Sequence, residues 1–220
     1  EKSFPLTSRA YDVNLSLLTM MFKHLDARVV QVWEGLRPMT KKMLERLLEP
    51  NGPLLPSSTL QKFHYDAHAD WELSQLLTAL DAQVKAKDAA GADEAAQLAE
   101  TCVKILEAQC GSAEVFIQLA QRALKQHDYN RFEKLAEHLL ERFSAGEIAE
   151  IIRQTDLPQI RAIAYETLVL FPAQSMLPLL DDPLYADIAM QVLEQKAFEF
   201  ESEEARDLLE QIEMENGFPI

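Results

Sequence analysis

Residues 64–70 read HYDAHAD and set His64, Asp66, His68 and Asp70 in alternation. Imidazole nitrogen and carboxylate oxygen together suit manganese or zinc, and a bound divalent ion turns water into a nucleophile at neutral pH. What the four side chains can reach depends on the backbone that carries them. In a loop the alternating ligands could converge on one ion. On a helix, His64 and His68 share a face at i, i+4, while Asp66 and Asp70 lie roughly opposite. One helix then offers two ligands, and a third must come from elsewhere, such as His24 or an acidic side chain of a packed helix.

DAHAD, residues 66–70, resembles the metal-binding segment of the ureohydrolases, the arginase and agmatinase family. That resemblance implies that Asp66, His68 and Asp70 ligate a two-manganese cluster that activates water for attack on a guanidinium carbon. It spans five residues. In the family this segment ends a buried strand, whereas here SSTLQKF precedes it and reads as a capped helix start. The family's second acidic motif, S-x-D-x-D, has no counterpart; the nearest acidic cluster is LLDDPLYAD at 179–187, which itself reads as a helix start. The match is therefore read as coincidental, with Asp66 or Asp70 capping a helix just before Trp71. No cofactor is expected. A divalent-metal-dependent hydrolase using His64, Asp66, His68 and Asp70 stands as the alternative.

Other chemistry is thin. The chain has no Gly-rich phosphate loop and no G-x-S-x-G, and His127 and His138 stand far in sequence from the two cysteines. Cys102 and Cys110, eight residues apart on one predicted helix, are separated by about 12 Å of helix axis, too far for a disulfide. Buried free thiols in a reducing compartment are expected. These readings make the chain a non-enzyme.

Charge narrows the partners. The 220 residues carry a net charge of −15, unevenly spread. Residues 1–62 hold nine basic and six acidic side chains, net +3; residues 63–180 are net −8; residues 181–220 hold two basic and twelve acidic side chains, net −10. A nucleic-acid binder needs a basic face, so nucleic acid is excluded and a basic protein is favoured. No apolar run approaches the ~20 residues that cross a bilayer, which excludes a membrane partner. A cytoplasmic location is expected, with a processed or excised N-terminus because residue 1 is Glu.

The elements that must position these residues are helical. Glycine is scarce and Ala, Leu, Glu and Gln abound. A helix is predicted over about 12–34, with Val13, Leu17, Met20, Met21, His24 and Leu25 on one broad face, ended by Gly35. A second runs from Pro38 to Glu49. PNGPLLP, residues 50–56, cannot continue a helix. Beyond it, Trp71, Leu73, Leu76, Leu77, Leu80 and Val84 mark a helix ended by Gly91. Ala95, Leu98, Ala99, Cys102, Val103 and Leu106 mark the next. Ser112, Asp128, Ser144 with Glu147 in a capping box, Asp156 and Asp182 (each shortly before a proline), and Ser202 are predicted to begin the later helices.

AEVFIQLAQRALKQHDYNRFEKLAEHLLERFS, residues 113–144, resembles a degenerate tetratricopeptide unit: Phe116, Leu119, Ala120 and Ala123 on its first helix, Tyr129 at the turn, and Phe132, Ala136 and Leu139 on its second. Ala120, Phe132 and Ser144 depart from the usual Gly, Ala and Pro. ADEAAQLAETCVKIL aligns with NRFEKLAEHLL about 37 residues on, and AIAYETLVLFP resembles KLAEHLLERFS at a shorter period, more like HEAT-type pairs. The resemblance covers about residues 70–200. It implies an all-α fold of antiparallel helix pairs stacked as an irregular α-solenoid, with a compact helical bundle as the alternative. The expected organisation is an N-terminal helical segment over 1–50, a Pro/Gly linker over 51–56, and a helical-repeat body over 57–220 with an acidic end. Met20, Met21 and Trp33 are candidate interface residues, which leaves room for a homo-oligomer. Gln118, Arg122 and Gln126 are candidate contacts for a peptide or helix of a protein partner. The expected function is that of a scaffold or adaptor; an acidic inhibitor or nucleic-acid mimic is a further alternative.

Overall fold

A computed structural model describes residues 24–48, 67–86 and 91–215. Met20, Met21, the linker at 51–56, His64 and Asp66 lie outside the described residues. Every regular element among the described residues is helical, and there is no strand among them. The chain divides into two compact units, Glu1–Cys110 and Gly111–Ile220.

The first unit contains α1 (Ala27–Gly35), α2 (Pro38–Leu48), α3 (Ala67–Lys85) and α4 (Ala92–Gln109). Its centre is the α3–α4 pair, with α1 laid on α3 and α2 touching both. Leu73, Leu76, Leu77 and Leu80 of α3 are completely buried, as are Ala95, Ala99, Cys102 and Leu106 of α4. Each series follows the helical period, and the small residues of α4 leave room for the leucines of α3. Burying each such leucine contributes about 1.5–3 kcal/mol. Cys102 and Cys110 are both buried and are not joined in a disulfide. Trp71, which the apolar stripe was expected to include, is exposed instead. It sits two residues from Leu73, so a helix points it the opposite way.

The helix expected over about 12–34 has a start of its own at Ala27. Asp26 leaves the helical path and its carboxylate accepts the Arg28 N–H at 3.3 Å; a short carboxylate serves better as a cap than inside a helix. The buried Gln83 clamps this turn, donating to the His24 carbonyl at 3.0 Å and accepting the Asp26 N–H at 2.9 Å. Gly91, expected to end α3, stands at the cap position of α4 with φ 83°. A Cβ there would lie 2.2 Å from the His24 carbonyl oxygen, so only glycine lets the two backbones meet.

The second unit runs α5 (Ala113–Lys125), α6 (Tyr129–Glu137), α7 (Leu139–Arg142), α8 (Ala145–Gln154), α9 (Pro158–Leu170), a 3-10 turn (Ala173–Met176) leading into α10 (Leu177–Leu180), α11 (Ala186–Phe198) and α12 (Glu203–Glu215). Packing largely follows chain order: α5 meets α6 and α8, α8 meets α9, α9 meets α11, and α11 meets α12. Phe116 of α5 packs edge-on against Phe143, ring centres 5.7 Å apart. Several starts differ from the sequence reading. α9 begins at Pro158 after a turn in which the Thr155 hydroxyl, not Asp156, accepts the Leu157 N–H. Asp182 organises a turn by accepting the Leu184 N–H, which delays α11 to Ala186. Asp128 and Ser202 cap α6 and α12 as expected, accepting the N–H groups of Arg131 and Ala205.

Candidate functional site

The structure splits what it describes of HYDAHAD. His68 and Asp70 both lie in the first turn of α3, but His68 is exposed while Asp70 is 2 % exposed. Two residues apart on a helix, they point to different sides. This backbone is helix, not the strand end of a ureohydrolase. Among the described residues, no three His, Cys, Asp or Glu side chains come together in a way that would hold a metal.

The chemistry of this region belongs to a residue that the sequence reading passed over. Glu72 is 6 % exposed, and its carboxylate reaches the start of α2. One oxygen accepts the backbone N–H and the Nε–H of Arg37, each at 3.1 Å, and the other accepts the Thr40 hydroxyl at 2.5 Å. A negative charge at a helix N-terminus is well placed. Burial pushes the Glu72 carboxyl up, but the Thr40 hydroxyl and the Arg37 N–H groups and charge outweigh it. The carboxyl is held below its usual range.

The same device recurs. Ser144 accepts the Glu147 N–H at 3.2 Å, but the Glu147 carboxylate does not return to Ser144 as the capping box expects. It accepts the Ala113 N–H at 2.9 Å, sealing the start of α5. Carbonyl ends are treated in kind by cations. Lys196 of α11 donates to the Val169 and Phe171 carbonyls at 2.7 and 2.9 Å, closing the end of α9. Arg206 of α12 donates to the Ala197 carbonyl of α11 at 3.2 Å. Lys41 of α2 does the same for Glu34 of α1 at 3.0 Å. Helix ends are thus sealed by charged side chains from a neighbouring helix.

A second polar knot ties α8 to the start of α11. Glu150 accepts two hydrogen bonds from Arg153, at 2.6 and 2.5 Å, and one from the Tyr185 hydroxyl at 2.8 Å. The Arg153 hydrogen bonds lead in drawing the Glu150 carboxyl down to about 2 against some burial, and Glu150 in turn raises the Tyr185 hydroxyl. These groups are structural: each satisfies the others.

Of the expected contacts, Gln118, Arg122 and Gln126 lie one turn apart along α5, and Arg122 donates to the Gln126 side chain at 3.3 Å. Gln126 is exposed and the other two are partly so. Trp33 is buried in the first unit, on the helix that packs against α3.

Uncovered apolar side chains appear elsewhere, where α9 and α11 end. Leu170, Phe198 and Phe200 are 64 %, 77 % and 61 % exposed. The Lys196 ammonium, bound to the carbonyls on either side of Leu170, brings these ends together. The signal was present in the sequence: EQKAFEFESEE places two phenylalanines inside an acidic run, where a solvated helix end has no use for them. Comparison with protein-family models, with curated proteins and with solved structures found no match for this chain.

Proposed function

We propose that the chain is a non-enzymatic protein–protein interaction module, a scaffold or adaptor that holds a peptide or helix of a partner. The observation that carries this reading is the exposure of large apolar side chains on the second unit, Leu170 at the end of α9 and Phe198 and Phe200 at and after the end of α11. Large apolar side chains that stay in water favour association, because covering them is worth roughly 25 cal/mol per Å². The order of packing in that unit, each helix meeting those nearest in the chain, supports an irregular solenoid of helix pairs. Such a stack presents its outer rows, including Gln118, Arg122 and Gln126, to a bound segment.

The test is quantitative affinity capture with three proteins of equal thermal stability: the wild type, Q118A/R122A/Q126A and F198S/F200S. The expected result is a set of proteins recovered with the wild type and depleted at least about tenfold with one variant, as loss of a hot spot requires. Equal recovery with all three proteins refutes the reading.

A further inference from the structure

We draw no further inference here: the strongest candidate, the face of α3 on which Trp71, Gln75, Thr78 and Ala82 are exposed at helical spacing, carries none because nothing in the structure shows what covers it.

Discussion

Replacing Glu72 with alanine should unfold the first unit far more easily than its single position suggests. The change leaves the Arg37 N–H and the buried Thr40 hydroxyl without their acceptor. A hydrogen bond to a charged group is worth about 1.5–3 kcal/mol, and a stranded buried donor costs a similar amount. Loss of charge at the start of α2 adds about 0.3–1 kcal/mol. These contributions overlap, and a total of about 3–5 kcal/mol is expected, near the top of what one substitution does. E72Q is milder, about 1–2 kcal/mol, because the amide oxygen still accepts from Arg37 and the amide nitrogen can donate to Thr40. The assay is built into the chain. Its two tryptophans, Trp33 and Trp71, both lie in the first unit, so tryptophan fluorescence during urea unfolding reads that unit directly. With an m-value of about 2 kcal/mol/M, E72A should lower the midpoint by about 1.5–2.5 M. The pH dependence has a defined sign. The folded Glu72 carboxyl lies below its usual value, so the stability it confers is complete above about pH 4.5 and disappears as pH falls below that. The gap between wild type and E72Q should therefore shrink from about pH 5 to pH 3. An E72A midpoint within about 0.5 M of wild type, or a constant gap to E72Q over that range, would refute the reasoning.

Three other perturbations test the remaining features. E150Q should cost about 1–2 kcal/mol at neutral pH, less than a carboxyl drawn to about 2 implies at face value, because Arg153 is 40 % exposed and the pair is screened. That contribution is present above about pH 4.5 and fades as pH falls toward 2, which far-UV circular dichroism melts at about pH 7 and pH 3 would show. G91A should destabilise the first unit by about 3 kcal/mol or more, since the new Cβ meets the His24 carbonyl and the left-handed backbone adds about 1–2 kcal/mol; tryptophan-monitored urea unfolding checks it. H127G should stabilise the second unit by about 0.5–1 kcal/mol. His127 closes α5 with φ 57° in a Schellman turn, where Asp128 donates to Ala123 and His127 to Leu124, a place that suits glycine. A melting temperature lower than wild type would refute it.

The helices themselves were written in the local pattern. Leu73, Leu76, Leu77 and Leu80, or Ala95, Leu98, Ala99 and Cys102, declare their buried faces by spacing alone, because burial needs only period and size. The caps at Asp128 and Ser202 were legible for the same reason, since a cap is a contact between near neighbours. What stayed hidden depends on distant partners. Nothing around Glu72 shows that Arg37, 35 residues earlier, needs its carboxylate. Glu147 follows Ser144 at capping-box spacing and still serves Ala113, 34 residues away. Gly91 looks like a helix stop until His24 is brought against it. Phe198 closes α11, and only its exposure sets it apart from the buried Leu193 and Ala197. In the metal reading, residue type was visible while direction was not: His68 and Asp70 share a motif but not a face.

The charged side chains that seal helix ends also set a timetable. Ala113 is finished long before Glu147 exists, and Val169 long before Lys196; the intervals are 34 and 27 residues. A ribosome adds roughly 5–20 residues per second. Each of these helix ends is therefore born open and waits roughly 1–7 s for the residue that closes it. During synthesis the growing chain thus passes through separate intervals, 113–147 and 169–196 among them, in which a finished helix trails an open terminus behind the newest segment.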